Sequence, residues 1–142
     1  MHARWQWNVD QAAALEPAAV ALHSVRMSGL RAGDACVVFG LGPVGLLTVA
    51  MLRQCGAGEI IAADVNASRL AMAEHLAATS GAFTLHHCSR SQARTAFVER
   101  LAAAPFAAHA HHHFDDGDAS QKLDIAATLQ SAPAGTHLYV CG

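Results

Sequence analysis

Short apolar segments alternate along this chain with longer segments whose apolar residues recur at helical spacing. The segment Cys36–Phe39 contains β-branched residues and is followed by glycine, which is typical of a buried parallel strand. The same patterns predict strands over Glu59–Ala63, Phe83–His87, His109–Phe114 and His137–Cys141, and helices over Ala12–Met27, Val44–Gln54, Ala67–Ala78, Gln92–Ala103 and Leu123–Gln130. Because strands that alternate with helices form βαβ units, we expect one three-layer α/β domain over residues 1–142. It should hold a parallel sheet of about five strands with helices on both faces.

A glycine-rich motif lies between the first predicted strand and the helix that follows it. Its residues are Gly40, Leu41, Gly42, Pro43, Val44 and Gly45, which match the pattern G-x-G-x-x-G. Gly40 permits a tight turn, Gly42 lets a pyrophosphate approach the backbone, and Gly45 lets the helix pack against the strand. The helix N-terminus adds N–H donors and positive partial charge, and Pro43 suits its first turn. The motif therefore predicts a Rossmann-like dinucleotide-binding domain.

Asp64 lies nineteen residues after Gly45, at the end of the second predicted strand. An acidic residue at that position accepts hydrogen bonds from the ribose hydroxyls, which favours NAD over NADP because a 2′-phosphate would meet the carboxylate. Arg69, one turn into the next helix, would partly offset that repulsion. S-adenosylmethionine is an alternative ligand, since its ribose is also held by an acid after the second strand.

Composition narrows the class of protein further. The chain has 142 residues, 53% of them hydrophobic and 14% charged, and a net charge of −2 without a basic run, so nucleic acid is not an expected partner. The longest uncharged segment, Ala35–Leu52, is interrupted by glycines and predicts no membrane span. The start of the chain does not resemble a signal peptide. The four cysteines of the chain lie far apart in sequence, which is typical of reduced thiols in a cytoplasmic protein.

Four segments of the first half share one resemblance. They are Ala13–Pro17 with Val20 and His23, Arg31–Asp34, Val37–Gly45 and Ala63–Leu70. Over about residues 10 to 76 they resemble the nucleotide-binding domain of medium-chain zinc-type dehydrogenases of the sorbitol, threonine and alcohol kind. The resemblance implies that Glu16 lies near the catalytic zinc and that the three motif glycines hold the pyrophosphate. It also implies that Asp64 and Arg69 hold the adenosine ribose of NAD.

From about Leu70 onward the sequence resembles another family. The segments are Leu70–Ala78, Phe83–Ser91, Thr95–Val98, Phe114–Gly117, Leu123–Ala126 and Gly135–Gly142. They resemble the NAD domain of phthalate dioxygenase reductase and vanillate demethylase reductase, which are flavin and [2Fe–2S] electron-transfer proteins. This resemblance implies that Ser89 and Arg90 lie near the adenosine end of the nucleotide and Cys141 near the nicotinamide. The reductases' own glycine-rich loop is replaced here by that of the dehydrogenases.

The two resemblances together indicate a hybrid, joined within the helix around residues 70–76, which either a gene rearrangement or a deliberate chimera would produce. In the reductase pattern the strand before this helix neighbours the strand that ends at Cys141, and here the strand Cys36–Phe39 competes for that place. The sequence leaves the strand orders 3-2-1-4-5 and 4-3-2-1-5 open. Ser89, Arg90 and Cys141 converge with the glycine loop only in a correctly assembled sheet.

Neither family's complete catalytic machinery is expected in this chain. Zinc catalysis needs about three protein ligands, which the dehydrogenases take from a domain ahead of residue 10, and Glu16 alone cannot hold the metal. A [2Fe–2S] cluster needs four closely spaced ligands, and the reductases carry their flavin on a separate domain. We therefore expect no zinc, flavin or iron–sulfur cluster, and neither alcohol oxidation nor electron transfer by this chain alone.

Histidines form the other unusual feature of the sequence. His109, His111 and His113 alternate along a predicted strand and would project on one face, and His86 and His87 lie on another strand. We assign no metal site here. Histidines on exposed strands more often bind no metal than bind one, and metal-binding histidines need hydrogen-bond partners that orient their rings. Two further candidates receive structural interpretations: Cys141 as a buried strand-end thiol rather than a nucleophile, and the pair Asp115 and Asp116 as a solvated turn.

The sequence thus predicts an NAD-binding domain of oxidoreductase ancestry that is catalytically incomplete alone. The alternative is a noncatalytic folded module or fusion relic that binds nothing tightly. Apolar surface left by absent domains favours a homodimer.

Overall fold

A computed structural model describes residues 8–77, 83–94, 103 and 107–141 of the chain. The helices are α1 (Val9–Met27), α2 (Pro43–Gln54), α3 (Ala67–Ala77) and α4 (Ile125–Ser131). The strands are β1 (Cys36–Phe39), β2 (Ile60–Asp64), β3 (Phe83–Ser89), β4 (Ala110–Phe114) and β5 (His137–Val140). Single 3₁₀ turns cover Gln92–Arg94, Ala107–His109 and Ala119–Gln121. Among the described helices, none combines the length and apolar character that crossing a membrane requires.

The five strands form one parallel sheet in the order β4-β3-β2-β1-β5. This confirms the predicted α/β architecture and selects the second of the two strand orders that the sequence left open. The last strand lies beside the first, with His137 opposite Cys36 and Val140 opposite Phe39. Two side-chain contacts accompany this pairing: Ser28 on the turn after α1 lies 2.7 Å from the Tyr139 hydroxyl, and Asp34 lies 3.1 Å from His137.

Residues in register across the sheet define two faces. On what we call the helix face, the row of Leu85, Ala62, Val38 and Tyr139 packs against α1, α2 and α3 through a core in which Val25, Leu52 and Leu70 are almost fully buried. On what we call the open face, the row of His111, His86, Ala63, Phe39 and Val140 ends in an exposed valine. Residue Ile125 of the short helix α4 lines a cavity together with open-face residues. Helices therefore lie on both faces, as predicted, but the described coverage is very unequal.

The first helix is longer than predicted. It begins at Val9 rather than at Ala12, and Pro17 lies inside the helix. Proline lacks an N–H group and one intrahelical hydrogen bond is lost there. Most of α1 ahead of Ala21 is exposed, and it is Ala21 and Val25 that anchor the helix in the core.

The other predicted boundaries of helices and strands lie close to the observed ones. The structure tests one predicted helix only in part. The predicted helix Gln92–Ala103 starts as the turn Gln92–Arg94, and residues 95–102 lie outside the described residues. Strand β3 runs two residues beyond its predicted end at His87, to Ser89. That extension carries the strand to the carboxyl edge of the sheet, where the functional candidates lie.

Candidate functional site

The glycine loop occupies the carboxyl end of β1 and opens helix α2. Gly40 has a φ of 85°, a conformation that side chains with a Cβ rarely adopt, and its N–H donates to the Ala63 carbonyl at 2.9 Å. A Cβ on Gly45 would lie 1.9 Å from the Gly40 oxygen and 3.3 Å from the Cys141 Cβ. A Cβ on Gly42 would meet nothing within 4 Å. The backbone conformation thus requires the first glycine and close packing requires the third, whereas the second lies beside open space.

The start of α2 presents backbone donors to that space. Gly42 is the N-cap residue and no side-chain oxygen caps the helix. The first intrahelical bond runs from the Leu46 N–H to the Gly42 carbonyl at 2.9 Å, so the N–H groups of Val44 and Gly45 precede it. Pro43, at the first helical position, has no N–H to satisfy. An anion beside Gly42 would therefore meet two N–H donors and the positive end of the helix dipole.

Asp64 connects the second strand to this loop. Its side chain is 4% exposed, and its Oδ2 accepts a hydrogen bond from the Leu41 N–H at 2.6 Å. Its Oδ1 accepts one from the Asn66 N–H at 2.6 Å, and the Arg69 guanidinium lies 3.7 Å from Oδ2. A carboxylate offers about four acceptor positions, so these two backbone bonds leave capacity for a ligand's hydroxyl groups.

A cavity of about 270 Å³ adjoins the loop on the open face. Its lining is almost entirely apolar, apart from the carboxylate of Asp64. The lining residues are Phe39, Gly40, Ala63, Asp64, Val65, Cys88, Leu123 and Ile125. The cavity is smaller than most pockets that enclose a whole drug-sized ligand, so it suits one flat ring system rather than a dinucleotide.

The structure brings some of the predicted site residues together and separates others. Cys141 follows β5, donates its N–H to the Phe39 carbonyl at 2.7 Å and has its Sγ 3.9 Å from the Thr48 hydroxyl, beside the glycine loop. Ser89 is the last residue of β3 and Arg90 follows it, two strands or roughly 10 Å from β1. They lie at the same sheet edge but do not line the cavity, and the Ser89 hydroxyl donates to the Ser91 carbonyl at 3.2 Å.

Six lining residues were not among the sequence candidates: Phe39, Ala63, Val65, Cys88, Leu123 and Ile125. Strand alternation was the available signal for Cys88, because it shares the open face with His86. Burial raises the pKa of the Cys88 thiol, helped by the charges of Asp115 and Asp64, so it is a lining group rather than a reactive thiolate. Leu123 and Ile125 reach the cavity only through the position of α4, for which the sequence held no signal.

Among the described residues, the sequence candidates for zinc and iron–sulfur ligands are not clustered. Glu16 is exposed on α1 and forms no part of a cluster of potential zinc ligands among the residues described. Cys36 and Cys141 lie at opposite ends of the sheet, roughly 13 Å apart along the strands, so they cannot ligate one iron–sulfur cluster. Burial raises the pKa of Cys36 to about 11, and all four cysteines are free. Asp115 and Asp116 form an exposed turn.

Comparisons with known proteins find relatives of two kinds. The chain is 53% identical over 73 residues to the vanillate O-demethylase oxidoreductase of Pseudomonas sp. strain HR199, covering 51% of this chain and 23% of that protein. It is 48% identical over 69 residues to the (R,R)-butanediol dehydrogenase of Bacillus subtilis, covering 49% of this chain and 20% of that protein. No protein-family model matches.

A solved structure supports the fold independently. The crystal structure of AibC superimposes on 99% of this chain and 39% of its own with a TM-score of 0.54 at 24% identity. The sequence relatives confirm the resemblances to zinc-type dehydrogenases and to the vanillate demethylase reductase, and the structural match supports the Rossmann-like fold. The relatives are oxidoreductases, and this chain spans about a fifth of the length of those it matches.

Proposed function

We propose that this chain is a domain of oxidoreductase ancestry that binds NAD across the carboxyl edge of its sheet. The observation that carries the proposal is the Asp64 carboxylate, which is bonded to the Leu41 N–H of the glycine loop at 2.6 Å. A single buried acid thereby holds the phosphate loop and keeps acceptor capacity for a ribose. The pyrophosphate would lie beside Gly42, where the N–H groups of Val44 and Gly45 are available.

We base the proposed orientation of the dinucleotide on the order of the strands. The cavity beside Asp64 and Val65 would take the adenine ring, since it is apolar and adjoins the proposed ribose site. Ser89 and Arg90 lie at the same edge beyond β2, and we retain them as residues near the adenosine end. Cys141 lies on the other side of the loop, after β5, and would adjoin the nicotinamide end.

Charge at the ribose site favours NAD over NADP. A 2′-phosphate would approach the buried Asp64 carboxylate, and charges of like sign a few ångströms apart in partly buried surroundings cost several kcal/mol. Arg69 lies 3.7 Å from that carboxylate with half of its side chain exposed, so it offsets part of the repulsion. We expect NADP to bind at least about tenfold more weakly than NAD, which corresponds to ~1.4 kcal/mol.

The proposal includes the hybrid origin of the chain. The two groups of relatives each cover about half of it, and the sequence segments that carry the two resemblances meet in α3. The contacts of Ser28 with Tyr139 and of Asp34 with His137 join residues from the two segments. Hydride transfer would then depend on groups outside this chain.

Titration of the purified chain with NAD, NADP and S-adenosylmethionine, followed by calorimetry and thermal unfolding, tests the proposal. We expect saturable NAD binding that raises the unfolding temperature, and loss of that binding in Gly42→Val, because the Cβ meets no protein atom within 4 Å and the side chain would enter the proposed phosphate space. Ala13→Val on the exposed part of α1 is the control. Binding of S-adenosylmethionine without NAD binding, or unchanged NAD affinity in Gly42→Val, would contradict the proposal.

A further inference from the structure

A cluster of histidine side chains lies on the open face at the β3–β4 edge, away from the glycine loop. His86 of β3 is in register with His111 of the edge strand β4, and His113 lies two residues further along β4 on the same face. We call His86, His111 and His113 the imidazole cluster. This arrangement places two histidines at positions i and i+2 of one strand and a third on the neighbouring strand. It allows three imidazoles to face one point.

The rings of the imidazole cluster are already in contact. His86 Nδ1 lies 2.9 Å from His113 Nε2. The ring centroids of His86 and His111 are 5.2 Å apart, as are those of His86 and His113, and both pairs are stacked. His111 is exposed whereas His86 and His113 are half-buried, so the cluster is open to solvent on one side.

The protonation states suit ligation, because a metal binds the neutral imidazole. Burial lowers the pKa of His86 to about 4 and also lowers the pKa of His113, with neighbouring imidazoles adding to both effects. The rings of His86 and His113 are therefore largely neutral at pH 7.

We propose that His86, His111 and His113 bind a divalent transition-metal ion such as zinc, which fastens the edge strand β4 to β3. Among the described residues no three ligand atoms converge on one point yet, so binding requires a small rearrangement. The 2.9 Å separation of the His86 and His113 nitrogens must widen to about 3.3 Å, the spacing of two ligands ~2.05 Å from a tetrahedral ion. His86 must carry its proton on Nε2, and the exposed His111 ring must turn toward the ion. Water fills the fourth position.

The histidines on the opposite face do not offer an equivalent site. His87 is 3% exposed, its Nε2 lies 3.2 Å from the Val65 carbonyl, and its Nδ1 lies 3.4 Å from His112 Nδ1. Those two rings meet edge to face, and no third histidine of the described residues joins them. This pair supplies the matched control for the cluster.

Zinc titration of the chain without an affinity tag tests the proposal, with calorimetry for stoichiometry and thermal unfolding for stability. We expect one zinc ion per chain and a rise of several degrees in unfolding temperature. His86→Gln and His113→Gln should each weaken zinc binding at least about tenfold, because each removes a direct ligand. His112→Gln on the other face and His23→Gln on α1 should leave zinc affinity unchanged.

Cobalt substitution of the unaltered chain keeps the proposal testable if a variant fails to fold. We expect the visible bands of tetrahedral Co(II) with nitrogen and oxygen ligands and no near-ultraviolet thiolate charge-transfer band. Absence of zinc binding, unchanged affinity in both His86→Gln and His113→Gln, or a thiolate band that assigns the ion to cysteines would each overturn the proposal.

Discussion

The two faces of the sheet are built by the same alternation of residues but differ in what covers them. On the helix face Val38, Ile60 and Leu85 are at most 1% exposed beneath α1, α2 and α3. On the open face the central strands are also buried, with Val37 1% and Ala63 5% exposed, and it is on the edge strand β5 that Leu138 and Val140 are 50% and 74% exposed. The topology explains the difference, because the crossovers from β1 through β3 run in one direction across the sheet and the return to β5 runs in the other.

The two faces have different roles: side chains on the helix face stabilise the fold, and the open face carries the candidate binding sites. The helix face contains the closely packed side chains that hold β1, β2 and β3 in register and thereby position Asp64 and the glycine loop. The open face carries the cavity beside Asp64 and the imidazole cluster, both of which need space and contact with solvent. Substitutions on the helix face should therefore reduce folding stability, and those on the open face should alter ligand binding or pH response.

The largest expected loss of folding stability comes from a substitution where α2 meets the carboxyl edge of the sheet. Gly45→Ala would place a Cβ 1.9 Å from the Gly40 oxygen, which only a shift of backbone can relieve, so we expect a loss of about 3 kcal/mol or more, up to failure to fold. Gly42→Ala is the matched control, since its added methyl group meets nothing within 4 Å and should change stability by less than about 0.5 kcal/mol. Urea unfolding measures both. Equal stability of the two variants would show that α2 does not pack on the loop as described.

A leucine pair compares the two faces directly. Leu85→Ala removes a side chain that is 1% exposed in the helix-face core and should cost about 2–5 kcal/mol. Leu138→Ala, on the open face of β5 with half of its surface exposed, should cost less than about 1 kcal/mol. Chemical denaturation at neutral pH provides the comparison. A cost for Leu138→Ala close to that of Leu85→Ala would mean that the open face is covered in solution, as the predicted homodimer would require.

The smallest expected effect is on the pH dependence of folding stability. Burial, with the neighbouring His113 and His111, lowers the pKa of His86 from its ordinary 6.5 to about 4. The unfolded chain therefore binds more protons than the folded chain between these values, so folding stability should fall as pH is lowered from about 6.5 to about 4. His86→Gln should reduce that slope, measured by urea unfolding at several pH values without added metal. His23→Gln should leave it unchanged, and a slope that His86→Gln does not alter would contradict the assignment.

Local patterns were sufficient for much of the fold and part of the site. The strand Cys36–Phe39, the glycine motif and Asp64 were predicted because each depends on residues close in sequence: β-branched residues before a glycine, and an acid at the end of the next strand. Contacts between distant segments were not predicted. The hydrogen-bond partner of the Tyr139 hydroxyl is Ser28, which lies 111 residues away in sequence. No local sequence pattern predicts this contact.

By itself the sequence determined the parallel α/β architecture, the phosphate-type loop and the acid beside it, because strand and helix periodicity and the steric freedom of glycine are local properties. Only the tertiary structure decided that β5 lies beside β1, that Cys88 rather than Ser89 or Arg90 lines the cavity, and that the rings of His86 and His113 are in contact. These outcomes depend on strand order and on how far each strand extends. Strand order follows from the summed packing of distant segments, which no single segment encodes.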